Sequence, residues 1–210
     1  MDGHRRGRLR RDGISVETWD KPLLRDLLAS LVTRLRRRWE RFLHPWRRQA
    51  TLARMGRHRM PRGVLFVCHG NICRSPYAAA AFRARLGPEA TNVIRVDSAG
   101  FIGPMRHAPR AAVEEAASRG LDVRNHRSRT LTAGALENVD IVAVMEPQQV
   151  RGVAQLWRTT ATIIVLGDLD PISDDGRMIV DPVDQPRAVF AASYDRIDRC
   201  VAVLAQSLAG

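Results

Sequence analysis

The sequence VLFVCHGNICRSP at residues 64–76 joins a short apolar run to a loop that contains two cysteines and an arginine. The run, residues 64–67, is apolar throughout, which is typical of a strand buried on both faces of a parallel sheet. The closing Ser-Pro predicts the start of a helix, with Ser75 as the N-cap residue and the proline in the first turn. We therefore expect a strand–loop–helix unit whose loop carries Cys68 and Arg74.

The chain after this unit continues with alternating strand and helix patterns. Further apolar runs lie at 93–96, 141–144 and 162–166. Helical patterns lie near 76–86, 109–119, 146–157 and 187–208. Such alternation predicts a parallel sheet with helices on both faces, in which ligands bind beyond the carboxyl ends of the strands. The fold class predicted is α/β, a three-layer sandwich with a four-stranded parallel sheet.

The charge of the chain is unevenly distributed. The formal net charge is +12, and residues 1–62 hold 18 Lys and Arg against 6 Asp and Glu. Residues 63–210 hold 16 of each kind and are neutral as a whole. This asymmetry divides the chain into a basic N-terminal extension, residues 1–62, and a domain at residues 63–210.

The extension has two parts. Residues 1–18 are rich in Arg and poor in apolar residues, which predicts disorder. Apolar residues then recur at helical spacing, which predicts an amphipathic helix over about residues 21–46, with Pro45 kinking or ending it. This helix either packs on the domain or on a second copy, or residues 21–48 bind an anionic membrane surface or an acidic partner. The extension contains no base-reading motif, so we expect no sequence-specific binding of nucleic acid.

The sequence also bears on location. No apolar run approaches the roughly 20 residues that a membrane-spanning helix needs, and no signal peptide is recognisable. We therefore expect a cytoplasmic protein that the basic helix could hold at the periphery of a membrane. Three cysteines argue against a secreted disulfide framework, and Cys200 falls in an apolar helical pattern typical of a core residue.

The loop at residues 68–74 has the chemistry of a phosphate site. Backbone N–H groups between a strand and a helix can converge on one anion, and the helix dipole favours negative charge at the same point. The Arg74 guanidinium can bind two phosphate oxygens, and this setting favours the thiolate of Cys68. A zinc site made of Cys68, Cys73 and His69 lacks a fourth ligand in the loop. We therefore expect phosphoryl transfer to a thiol, with no metal and no cofactor.

The same residues closely resemble the phosphate loop of the low-molecular-weight protein tyrosine phosphatases. The resemblance extends through segments in the family's order, at residues 97–100, 125–129, 140–145, 166–168 and 181–182. It covers most of residues 63–205 and leaves residues 1–62 outside. It implies a fold of the phosphotyrosine phosphatase I type and hydrolysis of phosphotyrosine through a cysteinyl-phosphate intermediate.

The resemblance also implies roles for individual residues. Cys68 would be the nucleophile, Arg74 would bind the transferred phosphoryl group, and Asp181 would be the general acid and then the general base. Asp170 also precedes a proline but does not fit the position before the last helix, so we expect it in a surface turn. The remaining substrate-binding residues implied are His69, Gly70, Asn71, Ile72 and Cys73. The residues implied to hold the loop in shape are Asn71, Ser75 and His126.

Several alternatives remain at the level of sequence. Protein arginine phosphatases of this fold carry Thr where this chain has Ile72, and arsenate reductases of this fold use further cysteines that the region 101–135 lacks. A non-enzymatic adaptor that acts through the basic helix would not need Cys68, Arg74 and Asp181 together. The resemblance also suggests a bacterial tyrosine kinase of polysaccharide export as the substrate. Cys73 either closes a regulatory disulfide with Cys68 or serves in packing.

Overall fold

The computed structural model describes residues 22–58, 60–156, 159–172 and 176–209. The chain divides into two units, the second of which begins at Arg36. The helices are α1 Pro22–Met55, α2 Arg74–Thr91, α3 Arg110–Ala117, α4 Pro147–Leu156 and α5 Arg187–Ala209. The strands are β1 Gly63–Cys68, β2 Arg95–Gly100, β3 Ile141–Val144 and β4 Thr162–Val165, and short 3-10 turns occupy Gly134–Leu136 and Leu166–Leu169. Among the described helices, none is both long and apolar enough to cross a membrane.

The four strands form one parallel sheet in the order β2-β1-β3-β4, which confirms the predicted fold class. The strand β1 lies between β2 and β3, so the order of the strands reverses beside it. Cys68, the last residue of β1, pairs in register with Gly100 at the end of β2. The loop after β1 therefore lies at the switch point of the sheet, where ligands bind in open α/β folds.

Alternate residues of each strand point to opposite faces and build two cores. Val64 and Phe66 of β1 pack with apolar residues of α2, α3 and α5 on one face. Leu65 and Val67 pack with α4 and the 3-10 turn Gly134–Leu136 on the other. Cys200 is fully buried in the first of these cores, as predicted. Helices therefore cover both faces, which gives the expected three layers.

The second strand lies further along the chain than the sequence predicts. The apolar run at 93–96 suggested a strand there, but Val93 is 65% exposed and β2 runs from Arg95 to Gly100. The strand continues through Asp97 and Ser98 because their polar side chains have partners. Ser98 is buried and accepts a hydrogen bond from Asn71, and Asp97 pairs with arginines. A pattern based only on apolar residues could not include them.

The helix α1 is longer than predicted, because it continues through Pro45 to Met55. His44, Thr51 and Met55 lie seven and four residues apart, on one face of the helix, and all three are buried. We call this set the docking face. Its burial offsets the roughly 3 kcal/mol that a proline costs inside a helix. Residues 36–55 thus belong to the second unit, which begins before the start at residue 63 predicted from the charge.

The first unit contributes the residues of α1 up to Leu35. The apolar side chains described there are more than half exposed: Leu28, Leu31, Val32 and Leu35.

Candidate active site

Cys68 ends β1 at the base of the loop and is 2% exposed. Its Sγ atom lies 3.0 Å from Ser75 Oγ and accepts the backbone N–H of Asn71 at 3.2 Å. The helix α2 begins at Arg74 and has no side-chain cap, so the prediction that Ser75 caps it is wrong. The Ser75 hydroxyl instead contacts the thiol.

Asn71 fixes the shape of the loop from inside. It is fully buried and has a left-handed backbone conformation with φ of 51°. Its Nδ2 donates to Ser75 Oγ and to Ser98 Oγ, both at 2.9 Å. Its Oδ1 accepts the backbone N–H of Arg129 at 2.8 Å. Because Asn71 donates to the Ser75 oxygen, the Ser75 hydroxyl can donate its hydrogen either to Cys68 Sγ or to the carbonyl oxygen of Ala99, which lies 3.3 Å away.

His126 holds the same loop from outside. Its Nε2 lies 2.7 Å from the carbonyl oxygen of Asn71, and since a carbonyl only accepts, Nε2 carries the proton and donates. Burial lowers the pKa of His126, and the nearby charges of Arg129 and Arg127 lower it further. The imidazole is therefore held neutral, with its tautomer set by the loop.

The loop is also packed tightly against its neighbours. A Cβ atom on Gly100 would lie 2.7 Å from the backbone nitrogen of Asn71 and 2.9 Å from the carbonyl oxygen of His69, so only glycine fits. Arg106 Nη2 donates to the carbonyl oxygen of Gly70 at 2.8 Å. Arg106 had no role in the sequence analysis, because no local pattern links residue 106 to the loop.

The Arg74 side chain donates three hydrogen bonds within the site and is 1% exposed. Its Nη1 donates to Glu146 Oε1 at 2.7 Å and to the carbonyl oxygen of Ile179 at 3.0 Å. Its Nη2 donates to Asp181 Oδ2. Its Nε is buried without a hydrogen-bond partner. A buried donor without a partner is costly, and an oxyanion bound in the loop would supply the acceptor.

Glu146 is a site residue that the sequence analysis missed. It lies two residues after β3, at the same edge of the sheet as the loop after β1. A carboxylate just beyond the carboxyl end of a strand next to β1 was the signal that could have identified it.

Cys73 lies beside the site as a buried thiol that is 2% exposed. Burial raises its pKa to about 12, and the charges of Cys68 and Asp181 act in the same direction. Cys73 is therefore a protonated thiol at neutral pH. All three cysteines of the chain are free in this structure.

Asp170, the second Asp-Pro aspartate, does not lie in a surface turn. It is fully buried, and its carboxylate accepts from Arg196 Nε at 3.0 Å and Arg199 Nε at 2.8 Å. Two guanidinium groups offset the cost of burying this carboxylate. Asp170 makes none of the contacts to Arg74 that Asp181 makes.

The site combines a thiol, an arginine with an unpaired donor and a carboxylate. The structure brings the predicted residues Cys68, Asn71, Ser75 and His126 into one hydrogen-bonded network, and it brings Arg74 to Asp181. Across the residues that the structure describes, no three metal-ligating side chains converge. The arrangement suits an oxyanion above a sulfur nucleophile, with a carboxylate at the rim that can exchange a proton.

Known proteins are similar to this chain in sequence and in fold. The family model described as low molecular weight phosphotyrosine protein phosphatase matches residues 63–210. A probable low molecular weight protein-tyrosine-phosphatase, EpsP of Ralstonia nicotianae, is 32% identical over 145 residues, which are 68% of this chain and 92% of that protein. A protein-arginine-phosphatase of Bacillus subtilis is 31% identical, over 69% of this chain and 95% of its own.

A solved structure shows the same likeness. Wzb of Vibrio vulnificus in complex with benzylphosphonate superposes with a TM-score of 0.61 at 26% identity, over 70% of this chain and 98% of that one. The family match begins at residue 63, so α1 lies outside it. With the sheet order, the loop and the match over residues 63–210 taken together, the chain belongs to the low-molecular-weight protein-tyrosine-phosphatase family of phosphoric monoester hydrolases.

Proposed function

We propose that the chain hydrolyses phosphotyrosine in proteins, with Cys68 as nucleophile, Arg74 as phosphate-binding residue and Asp181 as acid and base. One observation carries the assignment. The Cys68 sulfur lies within 3.2 Å of both the Ser75 hydroxyl and the Asn71 N–H, at the start of α2. Both contacts are made to the sulfur atom that would attack phosphorus, and the helix N-terminus attracts the phosphate.

In the first step the Cys68 thiolate attacks phosphorus. An S–P bond forms, the bond from phosphorus to the aryl oxygen breaks, and Asp181 gives its proton to the departing oxygen. The loop N–H groups and Arg74 stabilise the charge on the three remaining oxygens. In the second step the oxygen of a water molecule attacks phosphorus, and Asp181 takes a proton from that water. The S–P bond breaks and inorganic phosphate leaves.

The contact between Arg74 and Asp181 indicates how substrate prepares the site. Arg74 pairs with Asp181 and Glu146. A bound phosphate dianion competes for the same guanidinium, because Arg binds two oxygens in a planar fork. Arg74 then turns from Asp181 to the phosphate, and the released carboxyl group is free to face the leaving oxygen.

The test is hydrolysis of para-nitrophenyl phosphate in the presence of EDTA. We expect metal-independent turnover that is lost in Cys68→Ser and falls by about 100-fold or more in Asp181→Ala, since acid–base catalysis contributes about 10²–10⁴-fold. Asp195→Asn, at an exposed aspartate of α5 that pairs with Arg119, is the control for a generic effect of losing an aspartate. Activity that survives in Cys68→Ser would overturn the proposal.

Within this function we propose tyrosine-phosphorylated proteins as the substrate class, and among them a tyrosine kinase of polysaccharide export. The family and the similarity to EpsP support phosphotyrosine. The similarity to a protein-arginine-phosphatase keeps phosphoarginine as the second candidate. The aliphatic side chain of Ile72, which partly packs against the core, favours an aryl group. Release of phosphate from matched phosphotyrosine and phosphoarginine peptides separates the two.

We also propose that α1 places the enzyme on an anionic membrane surface. Trp39, Phe42 and Trp46 are three and four residues apart and thus share one side of the helix, which we call the aromatic face. They are 62%, 65% and 70% exposed, although apolar side chains of this size are usually buried. At 3.6 residues per turn this face lies about 180° from the docking face, so packing on the domain cannot cover it.

The charge around the aromatic face favours lipid over a second copy of the chain. Residues 21–48 hold nine Lys and Arg against two Asp and Glu, so two such helices would repel one another. Arg38 and Arg41 are exposed close to Trp39. Tryptophan beside arginine is typical of helices that lie in the interface of an anionic bilayer.

Sedimentation with vesicles tests this second proposal. We expect the protein to bind vesicles of phosphatidylcholine with phosphatidylglycerol, less so at high salt, and to stay free with phosphatidylcholine alone. The double variant Trp39→Ser/Trp46→Ser should lose binding, and Val93→Ser, which changes an exposed residue of the catalytic half, should keep it. A dimer that the double variant dissociates, together with no binding to vesicles, would assign the face to self-association instead.

A further inference from the structure

The helix α1 contacts the segment that leads to Asp181, although α1 lies outside the family match at residues 63–210. This segment follows β4 and passes through Asp168 and Asp170 before it reaches Asp181. We call it the acid segment and define it by the described residues 166–172 and 176–181. The contact therefore joins the shared domain to a helix that the family match does not cover.

The central contact is made by His44 on the docking face. His44 is 4% exposed, and its Nε2 lies 2.7 Å from the carbonyl oxygen of Asp170. The carbonyl only accepts, so Nε2 carries the proton and donates. Removal of either partner would leave the other buried without this hydrogen bond, which makes the contact costly to break.

An electrostatic effect adds to this hydrogen bond. Arg177 donates to both carboxylate oxygens of Asp168 at 2.8 Å. This pairing raises the pKa of Arg177, and the negative charge of Glu40 on α1 acts in the same direction. Glu40 is itself paired with Arg47 of the same helix. Two residues of α1 thus influence the acid segment, one by a hydrogen bond and one by charge.

The contact continues from Asp170 toward Asp181 through Arg196. The Asp170 carboxylate accepts from Arg196 Nε at 3.0 Å, and Arg196 Nη1 donates to the carbonyl oxygen of Met178 at 2.7 Å. Met178 lies three residues before Asp181. A displacement of Asp170 would therefore shift Arg196 and, with it, the backbone that carries the carboxyl group.

The backbone next to Asp181 is held at further points. Ile179 N–H donates to the carbonyl oxygen of Met145 at 2.9 Å, and Ser193 Oγ donates to the carbonyl oxygen of Val180 at 2.9 Å. These bonds anchor one end of the acid segment to the sheet and to α5. The part of the segment around Asp170 is held by His44, Arg196 and Arg199.

We propose that His44 is a positioning residue for Asp181, so that the N-terminal helix forms part of the apparatus that sets the catalytic acid. The proposal rests on the acid–base role proposed above for Asp181. A displacement of about 1 Å in a catalytic group can cost roughly 100-fold in rate. The loss of a hydrogen bond remote from the reacting atoms can therefore still change the turnover rate measurably.

The leaving group distinguishes positioning from general stability. Phenolate is a poor leaving group that needs the proton from Asp181, whereas 2,4-dinitrophenolate is a good one that does not. We expect His44→Ala and the volume-filling His44→Leu to lower kcat/KM for phenyl phosphate by about tenfold. For 2,4-dinitrophenyl phosphate kcat/KM should change less than about twofold, because that reaction makes little use of the acid. His44→Gln keeps an N–H donor and should restore most of the loss.

His58→Ala is the matched control. His58 makes the same kind of contact to the domain, with Nε2 2.9 Å from Thr162 Oγ1, but this contact is to β4 and not to the acid segment. In His58→Ala the ratio of kcat/KM for phenyl phosphate to kcat/KM for 2,4-dinitrophenyl phosphate should equal the wild-type ratio. In the Asp181→Ala background His44→Ala should have no further effect on phenyl phosphate, since the two residues act through one group.

The outcomes separate the inference from the function on which it rests. No hydrolysis of either ester by the wild type would overturn the proposed function. An active wild type with equal losses on both esters in His44→Ala would show that His44 only stabilises the fold. Unchanged rates, or an effect that persists without Asp181, would likewise overturn the positioning role.

Discussion

At the scale of single residues, the active site depends on a few buried polar side chains that share their hydrogen bonds. Asn71 occupies a left-handed conformation, which asparagine tolerates better than most residues. The side-chain amide of Asn71 donates to Ser75 and Ser98, and its backbone carbonyl oxygen accepts a hydrogen bond from His126. The protein's own hydrogen bonds thereby hold the loop in shape, which reduces the reorganisation that the reaction needs.

His126 makes this arrangement dependent on pH. Burial holds its pKa below the ordinary value of 6.5, so below that pH the unfolded chain binds the proton more readily than the folded one. The stability that the neutral imidazole contributes is therefore complete above about pH 6.5 and is lost as the pH falls through the lowered pKa. The variant His126→Gln keeps a donor for Asn71. We expect its melting temperature to fall less between pH 7.5 and pH 5.5 than that of the wild type. Equal losses would contradict the assignment.

At the scale of elements, the attachment of α1 to the domain depends on the end of its docking face. Met55 is fully buried in the same core as Val64 of β1. We expect Met55→Ala to lower the free energy of unfolding by about 2–5 kcal/mol, because it leaves a cavity between the helix and the sheet. Met60→Ala is the matched control, since Met60 is 69% exposed and the change there should stay within about 0.5 kcal/mol. Chemical denaturation of both variants measures the difference, and a loss below about 1 kcal/mol at Met55 would mean that the helix is not anchored there.

The elements also show which parts of the fold the sequence could predict. The strands β1, β3 and β4 are buried apolar runs, and a run of this kind predicts a strand directly. The strand β2 was misplaced because two of its residues are polar and are stabilised by partners distant in sequence. The helix α1 was predicted too short because local rules end a helix near proline, whereas the docking face extends it through tertiary contacts.

The site follows the same division. Cys68, Arg74 and Ser75 lie within one short motif, and the resemblance assigned all three of them to the phosphate site. Glu146, His44 and Arg106 reach the site or the acid segment from other elements, and only the fold brings them there. Asp170 was expected at the surface because an Asp-Pro pair is typical of a turn. Its burial depends on two arginines of α5, which no local pattern could reveal.

At the scale of the whole molecule, charge and compactness divide the chain at different places. The net charge of +12 lies within residues 1–62, and the remainder is neutral. The second compact unit nevertheless begins at Arg36, because residues 36–55 pack on the sheet through the docking face. Part of the basic extension thus belongs to the same compact unit as the family domain. That the family domain itself begins at residue 63 stays a prediction.

Two truncations test where the folded domain begins. Removal of residues 1–35 leaves His44, Thr51 and Met55 in place, so we expect a melting temperature close to that of the full chain and unchanged hydrolysis of para-nitrophenyl phosphate. Removal of residues 1–60 exposes the surface that Met55 covers and breaks the bond from His44 to Asp170. That protein should melt at least several degrees lower, because losses of a few kcal/mol shift Tm by about 2–8 °C per kcal/mol. It should also lose more activity on phenyl phosphate than on 2,4-dinitrophenyl phosphate. Equal stability and equal activity in the two truncations would place the start of the domain at residue 63 and leave α1 as an appendage.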